Sequence, residues 1–127
     1  MLLLLGLGIL HAQDSTEVKG ARLSASENVF DFGEVPSDTA VSHIFVLKNI
    51  GSDSLRIYRL KSGWGCTAAL LSSEVIAPDS TAQIKATFNT HGRMGVFQKS
   101  IKVYSNDTTK PVVTLFIKGK IVPQNKE

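Results

Sequence analysis

Few side chains in this chain could carry covalent or metal chemistry. Cys66 is the only cysteine, and the histidines set among patterned residues are His43 and His91. A thiol becomes a nucleophile at neutral pH only beside a base or a positive charge. Neither histidine shares a local signature with Cys66, and a lone cysteine packs well as a small hydrophobe. No catalytic residue is therefore assigned, and the chain is not read as an enzyme. The soft donors Cys66, His91 and Met94 would suit Cu(I), and His91 and Met94 fall in one connection. A periplasmic copper-binding carrier using Cys66, His91 and Met94 is thus the alternative functional reading, although the chain has no Met/His cluster. No other cofactor signature is present, so none is expected. His43 alternates with Val41, Phe45 and Leu47, which places it on an apolar face as a half-buried core histidine.

Binding offers a second kind of chemistry. Trp64 stands between Gly63 and Gly65, where an indole is either a lid over the fold or an exposed anchor of the sort that dominates interface energy. Together with Cys66, and with Arg93 in the glycine-bounded connection Gly92–Gly95, it forms the candidate interaction loop region.

These residues are positioned by strands. Ala82, Ile84, Ala86 and Phe88 alternate with Gln83, Lys85, Thr87 and Asn89, the period of a half-buried strand. Phe97, Ile101 and Val103 form a second apolar row, with Lys99 as its exception. Val113, Leu115, Ile117 and Ile121 form a third, with Thr114, Lys118 and Lys120 facing out. Upstream, Val29 to Val35 and Val41 to Asn49 alternate as well, and the latter carries enough apolar residues on both rows to be covered on both faces. Leu60 falls out of phase with Leu55 and Ile57; one extra residue, a β-bulge, would return it to the core. Ser62 to Ser73 is the least regular stretch. Turn clusters separate the rows, at Asn49–Ser54, Ala77–Ser80, Asn89–Gly95 and Ser105–Thr109. Beyond the first residues no window keeps helical spacing. About seven short strands with frequent turns predict an all-β, immunoglobulin-like antiparallel β-sandwich. With one cysteine it has no disulfide within the chain.

Composition narrows the partners. The 127 residues carry 14 Lys/Arg against 11 Asp/Glu, a formal net charge of +3. The basic residues are scattered singly, on alternating strand positions, rather than clustered with aromatics, so no nucleic-acid partner is expected. Residues 1–12, MLLLLGLGILHA, are apolar and too short to span a bilayer as a helix, which takes roughly 20 residues. They read as a signal peptide whose basic n-region is missing, with a non-cleaved anchor as the rival reading. A mature chain with no transmembrane segment follows, exported to the periplasm or cell surface. Residues 13–27 read as a flexible leader, 28–122 as the immunoglobulin-like domain and 123–127 as a tail.

The motifs fall in a familiar order. FDFGEV, then F-x-L-K-N-x-G, L-x-I, G-C-T, I-A-P, G-x-x-G-x-F, S-N-D and I-K-G together resemble the domain-of-unknown-function family 1573. That family is common in Bacteroidetes and is similar to the immunoglobulin-like domains of the hydin and major-sperm-protein group. The resemblance covers about residues 28 to 121. It matches Phe32 and Gly33 to the opening strand and turn, Asn49 and Gly51 to the turn after the second strand, Ile76 and Pro78 to the start of the next, and Ser105-Asn106-Asp107 to the last turn. Family members typically show Cys-Gly-Cys-Thr where this chain reads Trp64-Gly65-Cys66-Thr67, so a role needing two close thiols is not carried over.

Five of the six aspartates precede Ser or Thr and then Thr, Ala or Leu. Turn chemistry accounts for this pattern. The triplet also resembles the acceptor of the general O-glycosylation system of Bacteroidetes envelope proteins, which would make Thr39, Ser54, Ser80 and Thr108 glycan acceptors. The sequence thus leads to a non-enzymatic exported module that binds another envelope or extracellular protein through exposed sheet edges, where strand addition is the natural mode, and through the loops carrying Trp64 and Arg93.

Overall fold

The computed structural model describes residues 18–62 and 68–124. Nine strands, and no helix, form among them: β1 (Leu23–Ala25), β2 (Val29–Pro36), β3 (Ala40–Asn49), β4 (Leu55–Ser62), β5 (Ala68–Leu71), β6 (Val75–Ile76), β7 (Thr81–Asn89), β8 (Gly95–Ser105) and β9 (Val112–Val122). They build a four-stranded sheet in the order β1-β3-β7-β5 and a five-stranded sheet in the order β2-β9-β8-β4-β6. All ladders are antiparallel except β2–β9, which is parallel.

The sheets face each other through the rows that alternation marks. From the four-stranded sheet come Phe45, Leu47, Ala82, Ile84, Ala86 and Phe88, all buried, and they meet Ile101, Val103, Leu115 and Ile117 of the other sheet. Gly119 holds the inward slot between Ile117 and Ile121. A β-carbon there would sit 2.8 Å from the Gly33 carbonyl oxygen and 2.9 Å from a ring carbon of Phe97. The vacant side-chain volume lets Phe97, directly opposite in β8, lie over the backbone and stack on Phe88 at 4.3 Å between ring centroids.

The bulge that Leu60 demands is present. Ile57 pairs with Ser105 and Arg59 with Tyr104, so Tyr58 is the extra residue. Leu60 then falls opposite Val103 and packs on the core. A second irregularity lies in β2, where Asp31 pairs with Lys118 but Glu34 with Lys120. Gly33 supplies the left-handed φ of +73° that this step needs, and its N–H donates to Asp31 Oδ1 at 2.8 Å.

Three points depart from the sequence reading. The strands that alternation does not single out are the short β1, β5 and β6. Where the sequence predicts a leader through residue 27, Leu23–Ala25 pairs with β3 and both Ala21 and Leu23 are buried. Their alternation is too brief, among polar neighbours, to register as a strand. The outer row of β3 is also open to solvent: Ile44 is 45% exposed, so this strand is covered on one face only.

Both lateral edges of the sandwich use the same device. The chain leaves the four-stranded sheet at β1 and joins the five-stranded sheet at β2; it does so again from β5 to β6. Among the described residues no helix is long and apolar enough to cross a membrane.

Candidate functional site

At the end of the sandwich where β3 finishes, the polar motifs are internal fasteners. Asn49 is fully buried and uses its whole amide. Its Oδ1 accepts from Gly51 N at 2.9 Å and Arg22 N at 3.3 Å, and its Nδ2 donates to the carbonyls of Asp53 at 2.7 Å and Ile76 at 2.9 Å. Gly51 passes so close to the N-terminal segment that a β-carbon would stand 1.9 Å from the Gly20 carbonyl oxygen. Asp107 is 1% exposed and accepts from Leu23 N at 2.9 Å, Thr109 N at 2.9 Å, Thr109 Oγ1 at 2.6 Å and Lys110 N at 3.3 Å. Burial alone would raise its pKa. The hydrogen bonds from the Thr109 hydroxyl and from the amides of Leu23, Thr109 and Lys110 outweigh burial and hold the carboxyl below its usual range. Asn106 is bonded to Arg56 N and Ser54 O at the neighbouring strand start. The N-x-G and S-N-D motifs are therefore structural, and they tie β1 to the core.

His43 is a packing residue with a satisfied polar edge, as its position on an apolar row implies. Its ring stacks on Phe30 at 3.6 Å and meets Phe45 edge-on at 4.9 Å, while Nε2 reaches the Glu27 carboxylate. Glu27 lies in the crossing from β1 to β2, so this pair also secures that edge.

At the opposite end Thr90 is the fastener. Its hydroxyl accepts from Thr39 N at 2.9 Å and lies 2.9 Å and 3.0 Å from the carbonyls of Pro36 and Thr39. The neighbouring connection holds the surface residues named by the sequence. His91 Nδ1 is 3.0 Å from Asp38 Oδ1. The Arg93 guanidinium lies 5.5 Å from the Phe88 ring centroid. Met94 is 59% exposed. Trp64 and Cys66 lie outside the described residues, and so does the completeness of any Cys66–His91–Met94 copper set. Among the described residues no three His, Cys, Asp or Glu side chains converge as metal ligands.

The aspartate triplets have structural reasons of their own. Asp38 and Asp79 carry φ of 60° and 67°, a conformation that Asp tolerates better than most residues. Of the four hydroxyls that follow these aspartates, Ser54, Ser80 and Thr108 are exposed and Thr39 is half-buried.

Of the exposed sheet edges expected as contact surfaces, the one that carries a groove is formed by β4 and β5. Among the described residues, β6 covers only Leu55 and Arg56 of β4, so the strand from Tyr58 to Ser62 keeps one side free of a neighbour. β5 is the last strand of its own sheet, and among the described residues its outer side is likewise unpaired. Between them runs a groove of about 370 Å³ lined by Ile57, Leu60, Ala69 and Leu71 and by the charged Arg59 and Glu74, with Tyr58 and Leu70 beside them. Tyr58 is 62% and Leu70 66% exposed. The out-of-phase Leu60 marks the bulge, but which edge stays open is set by where β6 stops.

Solved structures share this arrangement of strands. A protein of unknown function from Porphyromonas gingivalis W83 is similar at a TM-score of 0.70 and 16% identity, over 81% of this chain and 48% of that one. The chain thus spans about half the length of that protein. The ASH/PapD-like domain 7 of human CEP192 is similar at a TM-score of 0.64 and 11% identity, covering 81% and 87% of the two chains. The VesB protease of Vibrio cholerae matches over 77% of this chain and 31% of its own, at 15% identity and a TM-score of 0.62. These likenesses establish the PapD-like, immunoglobulin-like fold and nothing further. No curated protein matches the sequence. The protein family described as "Protein of unknown function (DUF1573)" matches residues 23–121, nearly all of the ordered sandwich, and the chain belongs to that family.

Proposed function

We propose that this protein is a non-catalytic, exported interaction module that receives an extended segment of another envelope or extracellular protein at its β4/β5 edge. The observation that carries this reading is that, among the described residues, Tyr58–Ser62 of β4 and the outer side of β5 are unpaired, beside a groove that combines apolar Ile57, Leu60, Ala69 and Leu71 with Arg59 and Glu74. An unpaired edge presents backbone N–H and C=O groups to any incoming strand, and a groove beside it offers sockets for alternate side chains, the two requirements of strand addition. Tyr58 and Leu70 supply apolar area at the rims, where exposed side chains of this size gain most from burial. The apolar residues 1–12 support export.

Two measurements test the proposal. Fractionation of native cells should place the chain outside the cytoplasm, and a cytoplasmic pool with its residues 1–12 intact would refute export. In-cell crosslinking of the wild type and of Leu70→Asp should yield one partner in the first and lose it in the second. An identical partner set in both would remove the edge from the function.

A further inference from the structure

The strands of the five-stranded sheet distribute their charge unevenly. Their two carboxylates, Asp31 and Glu34, both belong to β2 at one margin, where they pair with Lys118 and Lys120 of β9. At the other margin β4 carries Arg56, Arg59 and Lys61, and neither β4 nor β8 carries an acid. Leu60 packs on the core, so alternation turns Arg59 and Lys61 to the outer face. Arg59 has the Tyr104 ring as a partner at 4.6 Å. Lys61 has Lys102 directly opposite, an unfavourable cross-strand pair, and among the described residues no ion pair relieves it. Uncompensated positive charge therefore stands on the stretch of β4 that, among the described residues, has no outer neighbour.

The free stretch also has a direction. The ladder between β4 and β6 ends where Ile57 N donates to Glu74 O at 2.8 Å. An added strand takes up that line at Tyr58 and follows β4 to Ser62. Both β6 and β8 lie antiparallel to β4, and an antiparallel strand continues the hydrogen-bond pattern that β6 leaves off. The charges along the line are ordered. Exposed Glu74, fixed to Ile57 through its carbonyl, stands at the Tyr58 end, and Lys61 stands at the other. Tyr58, Val75 and Leu70 add exposed apolar surface beside the line.

A second copy of this chain fits the line poorly. Two β4 strands paired about Leu60 would set Arg59 against Lys61 twice, four cations on one face with no acid among them. We infer that the strand received at this edge is charge-ordered and runs antiparallel to β4. It places acidic side chains opposite Lys61 and Arg59, an apolar one between them beside Leu60 and the groove, and a basic one next to Glu74. This inference rests on the reading of the β4/β5 edge as a strand-addition site and states which strand that site selects. Opposite charges facing each other across a strand pair stabilise it, and the acids would also offset Lys102. A lysine on a free edge discourages pairing in general. A strand that brings acids turns the same lysine into a contact, so the edge selects by repelling the rest.

The test uses the peptide Ser-Glu-Val-Glu-Val-Lys-Ser, capped at both ends and fluorescently labelled, which follows that order from Ser62 towards Tyr58. Its rivals are the charge-exchanged Ser-Lys-Val-Lys-Val-Glu-Ser and the uncharged Ser-Thr-Val-Thr-Val-Thr-Ser. Fluorescence anisotropy with the protein at low salt should rank the first peptide above the uncharged one and the exchanged one last. At least fivefold in affinity should separate first from last, and the gap should narrow as salt screens the charges. Lys61→Glu gives Lys102 an opposite charge, so it should leave the fold intact while abolishing or reversing the ranking. Lys48→Glu, an equal change of net charge on the other sheet, should preserve it. Leu70→Asp should weaken all three peptides. Equal binding of the three, still weakened by Leu70→Asp, would overturn the charge order and leave the edge reading standing. A ranking that survives Lys61→Glu, or binding of no peptide, would also overturn the inference, and in-cell crosslinking with Leu70→Asp decides the edge reading separately. A dimer of the wild type in sedimentation that Leu70→Asp abolishes would make a second copy the occupant and overturn it as well.

Discussion

The two lateral edges of this sandwich begin from the same manoeuvre and end differently. At one edge β1 passes into β2, which runs eight residues beside β9. At the other, β5 passes into β6, which is two residues long and leaves most of β4 uncovered. The first edge is held by Asn49, Gly51 and Asp107 at its start and by Glu27 and His43 at the crossing. The second has Tyr58, the residue the bulge leaves without a partner in β8, and Leu70 both exposed. Sheet switching thus fastens a crossing when the second strand pairs along its neighbour and buried polar groups tie it down, although β1 and β2 remain terminal strands and β1 pairs only with Leu47–Asn49 of β3. Where the second strand stops early, the same device leaves backbone and apolar surface available.

This contrast predicts a graded set of effects. Gly51→Ala should be the most damaging, because its β-carbon would collide with the backbone of Gly20 and Arg22. A loss of about 3 kcal/mol or more in denaturant unfolding is expected, with the amides of Leu23–Ala25 exchanging first; an unchanged midpoint would show that the fastened edge does not depend on this approach. Asp107→Asn should cost about 2 kcal/mol, since an amide nitrogen would then face an N–H donor and leave it unpaired. The same variant separates out a pH effect. The folded-state pKa of Asp107 is lowered, so its contribution is present above the ordinary carboxylate value, near 3.9, and is lost as pH falls through the folded value. Wild type should therefore lose stability more steeply than Asp107→Asn below about pH 4, and parallel curves would contradict the assignment. At the open edge Tyr58→Lys should shift stability by no more than about 0.5 kcal/mol while abolishing partner capture. A large destabilisation there would mean that this edge too is structural.

The long strands were legible because their apolar rows repeat often enough to exclude other periods, and Leu60 announced its bulge by breaking phase. β1, β5 and β6 were not, since two to four residues carry no period. Asn49 and Asp107 read as turn residues from sequence; their burial arises from segments distant along the chain, Arg22 and Leu23 among them. The basic residues read as scattered because sequence distance hides which strands become neighbours. Lys61 and Lys102 are far apart in the chain and opposite each other in the sheet. Which edge carries the groove was invisible for the same reason: it depends on where a neighbouring strand stops.

The account rests on the β4/β5 edge as the contact surface, and site-specific photocrosslinking in the native cell tests it most directly. The photoreactive residue is placed in turn at Tyr58 on the β4/β5 edge, at Val29 on the fastened β1/β2 edge and at Ile44 on the outer face of the four-stranded sheet, all exposed apolar positions. The account predicts a discrete protein adduct from Tyr58 and none from Val29 or Ile44. An adduct from Val29 or Ile44 with none from Tyr58 would contradict it.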